Sequence, residues 1–312
     1  MKHYLIRRII LFVLVLAGVS LLSFALTELF GRDPAEIIAR RINIHATIEQ
    51  IEAVRQSMGL DRPFAIRYFA WIAGLFRKDV GISIYSFNPI MEDIAQYLPV
   101  SLKMVGLALL WVVIVSVPVS LLCAARPKGA ADHIVRVLSI AGLSFPAFWL
   151  GFLLLLAFAV RLKIFSVLPA PGIKGFILPS VALAVPVIAG FIRVFRASLL
   201  KEMNSDYAEY ARARGLSRRR ILTHHALRNA LPPVITLFCQ YLGYLIAGGA
   251  VVESIFSLNG IGTYLVGSVS AADSTAVATC AMIIAAVFVL ANLCGDLLNR
   301  LLCPWMVREH NA

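Results

Sequence analysis

The chain has 312 residues, 60% of them hydrophobic and 15% charged, with a mean hydropathy of +0.84. A soluble domain runs at roughly 45–50% apolar and about a quarter charged, so one large water-soluble core is excluded as the account of this composition. In a soluble protein the net charge of +12 would suggest nucleic acid, but Lys and Arg fall here mostly in short segments between long apolar blocks, the pattern of membrane topology.

The first block follows Lys2, Arg7 and Arg8 and runs from Ile9 to about Phe30. That exceeds the roughly 7–15 apolar residues of a signal peptide, and no A-x-A site follows, so a retained span is expected. Crossing a bilayer takes roughly 20 apolar residues in a helix. Six segments qualify: 9–29, 98–125, 134–160, 177–198, 232–256 and 275–302. The predicted organisation is an N-terminal transmembrane helix (1–30), an external subdomain (31–97) and a five-helix core (98–305) with a loop at 199–231.

The segment 31–97 carries its own signals. Thr47-Ile48-Glu49-Gln50 opens an amphipathic helix that runs toward Met58. Gly59-Leu60-Asp61-Arg62-Pro63 reads as a stop and turn. Phe64 to Phe76 reads as a second helix with Trp71 and Phe76 on one side.

Basic residues orient the spans. Lys2, Arg7 and Arg8 precede the first, Arg126, Lys128 and Arg136 lie between the second and third, nine arginines and lysines lie from Arg193 to Arg228, and Arg308 follows the last. With six spans all four clusters fall on one side, expected to be cytoplasmic together with both termini.

The connection before the fifth span is the most informative stretch. Ser205 or Asp206 can cap a first helix, Gly215 suits the left-handed position that ends it, and Ser217 can cap the next. Pro232 and Pro233 are expected in the first turn of the following span. The result is a helical elbow, basic and rich in small residues.

Other chemistries find no constellation. The chain lacks a G-x-x-x-x-G-K-[ST] phosphate loop. The span middles lack the ionisable residues of an ion-coupled carrier, since Glu28, Arg193, Arg196, Glu253 and Asp296 lie toward span ends. The six histidines are scattered, with His224 and His225 adjacent and so divergent on a helix, and no metal ligand set or cofactor is expected. Cys123, Cys239, Cys280, Cys294 and Cys303 sit in or beside apolar blocks without C-x-x-C spacing and read as small buried hydrophobes. No nucleophile with a base and an orienting partner is visible, which argues against a membrane enzyme. Pro118, Pro146 and Pro186 inside spans, and Gly248 and Gly249 in the fifth, are candidate hinges, with kinks and close packing as the plainer reading.

The order Glu209-x-Ala211-x-x-x-Gly215 resembles the loop motif of permeases in binding-protein-dependent ATP-binding-cassette importers. The family's middle Ala is Tyr210 here, and its later I-x-L-P is replaced near His225 to Arg228. Leu227-Arg228-Asn229-Ala230-Leu231-x-Pro233 is similar to the peptide and nickel branch. So are Arg7-Arg8, Gly59-Leu60-Asp61-Arg62-Pro63, Asp79-x-Gly81-x-Ser83, Leu98-Pro99, Ser144-x-Pro146-x-Phe148-Trp149-Leu150, Glu253-x-x-Phe256, Gly260-x-Gly262, Asp273 and Asn292-Leu293-x-x-Asp296. Cys303-Pro304-Trp305 departs from the branch's usual Asp-Pro-Arg.

The resemblance implies an all-α integral membrane protein of the type I importer permease fold, with six transmembrane helices and a small extracytoplasmic helical subdomain after the first. It implies a bacterial inner membrane location and no enzymatic activity of its own. The implied partners are a second related permease, two ATPase subunits, an extracytoplasmic solute-binding protein and membrane lipid. Asp206, Tyr207, Glu209, Ala211, Arg214, Gly215, Leu216 and Ser217 would couple to the ATPase, with Glu209 capping or ion-pairing and Ala211 and Gly215 allowing close approach. The substrate would be a nickel or other metal chelate or a di- or oligopeptide, with nickel favoured by overall length and the short loop between spans five and six. A stand-alone channel or secondary carrier is the alternative. The residues that bind substrate are not legible.

Overall fold

The computed structural model describes residues 2–30 and 33–302. Cys303-Pro304-Trp305, Arg308 and His310 lie outside the described residues. The described chain is helical, with one isolated bridge between Ile82 and Pro89. It divides into two compact units, Met1–Ser101 with Asn259–Val287, and Leu102–Leu258 with Phe288–Ala312.

The first unit begins with α1 (Lys2–Phe30), whose stretch Ile6–Leu26 is long and apolar enough to cross a membrane. A helix not foreseen from sequence follows, α2 (Pro34–Ile42), started by Pro34 in its first turn and by Asp33, which accepts from the Ala35 amide at 3.0 Å. In α3 (Ile48–Ser57) Thr47 and Gln50 cap each other reciprocally, at 3.4 and 3.1 Å. Arg55 reaches from α3 to both Glu52, at 2.7 Å, and Asp33.

Gly59, at φ +64°, makes the expected stop. Helix α4 (Phe64–Arg77) follows Pro63 and ends at Lys78 in the left-handed region. Trp71 is buried but Phe76 is 87% exposed, so the expectation that they share a side fails. Five residues turn a helix by about 140° beyond a full circle, which separates them.

The unit closes around Asp273, which is 1% exposed. Its Oδ2 accepts from the Ser83 hydroxyl and the Ile84 amide, both at 2.6 Å, and its Oδ1 accepts from the Ala276 amide at 3.1 Å. One carboxylate thus caps α14 (Ser274–Leu302) and fixes the loop after α4. The first turns of α5 (Ile90–Ala125) add Asp93, which accepts from Ser86 and Asn88, and Tyr97, stacked on Tyr264 of α13 (Ile261–Ser270) at 5.0 Å. The Ser101 hydroxyl accepts from the first amide of α13 at 2.8 Å.

In the second unit α8 (Lys174–Met203) is the centre, packed by α6 (Ala130–Ser144), α7 (Ala147–Leu154, continuing as a π-helix to Arg161) and α11 (Leu227–Gly248). Small residues let these helices approach. A Cβ at Gly243 would overlap the Phe288 ring, and one at Gly190 would press on the Tyr241 hydroxyl.

Three expectations about the spans need correction. The segment 134–160 is not one straight helix, because α6 and α7 meet at a 96° bend. Phe145, at ψ 124°, is driven out of helix by Pro146, whose missing N–H ends the hydrogen-bond ladder. The segment 232–256 is not one span either. A rod runs from Arg218 to Gly248 and stops at Gly249, and α12 (Ala250–Ile255) follows. Pro232 and Pro233 therefore lie inside a helix rather than in its first turn. By length and composition five helices can cross a membrane, or six if the bent pair is one crossing. Of the candidate hinges, Pro146 and Gly248–Gly249 lie at breaks, whereas α5 and α8 continue unbroken past Pro118 and Pro186.

Asp273→Ala should destabilise the protein by about 3 kcal/mol, because several buried donors lose a charged acceptor at once. Asp273→Asn should cost about half as much. Maleimide labelling of the buried Cys280 in the same unit reads the effect, with labelling fastest in the Ala variant.

Candidate functional site

The elbow is built by the ends of helices. Helix α8 ends at Met203, and after Asn204 and Ser205 the chain enters α9 (Asp206–Ala213). Ser205 holds the N-cap position but does not cap with its side chain. Its hydroxyl donates back to the Glu202 carbonyl at 2.6 Å, contrary to expectation. Asp206 and Glu209 place negative charge in the first turn of α9, where the helix dipole favours it.

The end of α9 is a Schellman motif. The Gly215 amide donates to the Arg212 carbonyl at 2.9 Å, and the Leu216 amide to the Ala211 carbonyl at 3.2 Å. Gly215 sits at φ +82°, and a Cβ there would meet nothing within 4 Å. Glycine is required by the backbone, not by crowding. Ser217 then caps α10 (Arg218–Ile221), accepting from the Arg220 amide at 3.4 Å. One π-helical turn, Leu222–Ala226, joins α10 to α11.

Arginines lock the elbow to its neighbours. Arg212 donates to the Met203 carbonyl at 3.1 Å, at the C-terminus of α8. Arg218 donates to the carbonyls of Ala125 and Ala124 at 3.1 and 3.2 Å, the last residues of α5. Both cations meet carbonyls that no helical amide can reach. The turn after α5 is held from its far side as well. Asp132 on α6, 1% exposed, accepts from the Lys128 amide at 3.0 Å and takes a two-pronged contact from Arg196 of α8 at 2.5 and 2.7 Å.

The sequence-predicted coupling residues divide into two groups. Asp206, Glu209, Arg214, Gly215 and Ser217 are exposed, and Leu216 is half-buried. Ala211 is buried under its own chain, beside Ala208 at 0% exposure. The small side chain of Ala211 packs within its own chain. Tyr207 turns inward too, donating to Glu202 at 2.8 Å, and burial pushes its phenol pKa up. Glu209 makes no ion pair among the described residues. Sequence reasoning passed over Tyr210 as a mere departure. It is 66% exposed, with the Arg214 guanidinium 5.7 Å above its ring. An exposed aromatic beside charged neighbours is the signal that marks it.

The second unit also holds an open cleft of about 560 Å³, lined by Leu102, Gly106 and Leu110 of α5 and by Ile173 and Phe176 near the start of α8. Among the described residues no group of three or more His, Cys, Asp or Glu side chains is placed to hold a metal ion.

Residues 116–308 match the sequence profile of the binding-protein-dependent transport system inner membrane component, and residues 1–105 match that of the N-terminal part of such membrane components. Similar curated proteins include the glutathione transport system permease protein GsiC of Escherichia coli, of Shigella dysenteriae and of Pectobacterium atrosepticum. Each is 33% identical over 304 residues, covering 97% of this chain and 98% of the relative.

Gly215→Ala should cost the elbow about 1 kcal/mol from backbone strain, and Gly215→Asn less, because Asn tolerates the left-handed region. Hydrogen exchange of the Leu216 amide should speed up by about fivefold in the Ala variant, the factor that 1 kcal/mol implies.

Proposed function

The chain belongs to the inner membrane components of binding-protein-dependent transport systems, and on that premise we propose that Asp206–Ser217 is the handle by which an ATPase drives it. The chain is a permease subunit of an ATP-driven importer and not an enzyme, and ATP is hydrolysed on separate subunits.

The observation that carries the proposal is the exposed patch of Asp206, Glu209, Tyr210 and Arg214 on an elbow that its own chain clamps. A docking surface has to transmit force, and a frayed loop cannot. Here Arg212 holds the elbow to α8 and Arg218 holds it to α5, so a push on α9 reaches α8 directly and α5 through α10. In this reading the bent pair α6–α7 is one crossing, which makes six. The elbow and both termini are cytoplasmic, and the segment 31–97 faces outward toward the solute-binding protein. A second, homologous permease and two ATPases complete the assembly. The cleft between α5 and the start of α8 would contribute to this chain's half of the pathway, with Pro146 and Gly248–Gly249 as its bending points.

The substrate we propose is a short peptide of the glutathione kind, supported by the glutathione permeases that align with this chain along nearly its whole length. Nickel, favoured from the sequence, draws no support from those permeases. Titrating the purified partner binding protein with glutathione, a dipeptide and a nickel chelate checks this. Tight binding of nickel alone overturns the peptide assignment.

Gly215→Asp should abolish uptake while leaving the protein in the membrane, because it projects a charge from the docking patch and strains the backbone. Gly215→Ala, which only strains, should retain part of the activity. Normal uptake and normal ATPase co-purification in the Asp variant would remove the docking role. A stand-alone channel or carrier predicts something different: the purified chain alone in liposomes would move solute without ATP. We expect no movement until the ATPase subunits and ATP are added.

A further inference from the structure

We infer that the outer face of α4 rests against the acyl chains of the bilayer, making α4 an in-plane membrane helix rather than part of an aqueous subdomain. Phe69, Ala73 and Phe76 recur at helical spacing on one side of α4 and are exposed, with Phe69 at 67% and Phe76 at 87%, and the exposed Ile66 stands at the edge of this stripe. The opposite side is where Trp71 and Gly74 are buried. A helix in water would place polar residues on its outer face, yet none stands within this stripe.

Two independent depth markers identify what covers it. Tyr68 meets Ser20 of α1 at 2.8 Å, and the Trp71 ring stacks on Phe24 at 5.4 Å. Ser20 lies six residues inside the end of the apolar stretch Ile6–Leu26, about 9 Å by helical rise. Trp71 also donates to Thr279 of α14 at 3.1 Å. Thr279 lies five residues inside the start of that apolar helix, about 8 Å by helical rise. Both α1 and α14 belong to the helices that can cross the membrane, and both hold α4 inside their ends at nearly the same level.

The charges on α4 agree with that depth. Arg67 pairs with Glu28, two residues past the apolar stretch of α1, and Arg77 and Lys78 stand at the C-terminus of α4, where long basic side chains can reach headgroups. The side of α4 carrying Ile66, Arg67 and Ala70 borders an open cleft of about 640 Å³ lined also by Glu28, Asp33, Arg55 and Arg62. Polar cleft on one side and uninterrupted apolar stripe on the other is the pattern of a helix lying in the membrane interface.

The test places photoreactive p-benzoylphenylalanine at Phe69, Phe76 and, as a water-exposed control on α3, Glu49, in the assembled transporter in its native membrane. After irradiation, mass spectrometry reads the adducts. We expect phospholipid adducts at 69 and 76 about tenfold above those at 49, as for a surface buried among acyl chains. Phospholipid adducts no higher than at 49 would return α4 to an aqueous subdomain and overturn the inference. Crosslinks from 69 and 76 to a second polypeptide would overturn it in favour of a protein partner.

Discussion

A helix ends with carbonyls that have no amide to meet, and near a membrane water is not always there to meet them. The second unit is organised around that constraint. Arg218 serves the last carbonyls of α5, Arg212 serves the end of α8, and the Schellman turn at Gly215 serves α9. Arg212 joins α9 to α8 and Arg218 joins α10 to α5, so the elbow is tied to two helices. The Asp132–Arg196 pair closes the other side of the α5–α6 turn. The proposed transmission of force needs nothing else: a displaced α9 cannot leave α5 or α8 behind without stripping carbonyls of their partners.

The first unit solves a related problem with a carboxylate. Asp273 collects donors from the loop after α4 and from the first turn of α14, so the segment between α1 and α5 is ordered by the far end of the chain. The negative charge is tolerated at 1% exposure because hydrogen bonds converge on it. The same fold holds α4 against α1 and α14 through Tyr68 and Trp71. The proposed external placement of 31–97 and the proposed interfacial α4 are therefore compatible: α2 and α3 stay capped and charged, while α4 carries an exposed apolar stripe.

Much of this was legible locally. The helix opening at Thr47, the stop at Gly59, the turn at Gly215 and the cap at Ser217 rest on interactions that span a few residues, and the structure has all four, while the reciprocal Thr47–Gln50 cap is added by the structure. The apolar blocks were also readable, because a crossing demands length and composition rather than particular neighbours. Ser205 holds the N-cap position, but its hydroxyl is turned back to donate to the Glu202 carbonyl, and its oxygen does not accept from an amide of α9. Phe76 was misplaced on the side of Trp71 because both are large and apolar, although the helical angle between them was available from their numbers alone.

By itself, the sequence determined that the chain lives in a membrane, that the chain turns at Gly59 and Gly215, and that its basic elbow carries the motif of a driven importer. Those properties come from hydropathy and from contacts within one or two turns. Only the tertiary structure decided that the third apolar block bends by 96° and that the prolines at 118 and 186 do not interrupt their helices. It alone showed that Ala211 faces inward while Tyr210 faces out, and that Arg218 reaches Ala124 and Ala125 across more than ninety residues. The physical reason is common to all of these. Which side of a helix is covered, and whether a broken hydrogen-bond ladder can be completed, depends on what packs beside it, and residues distant in sequence supply those neighbours.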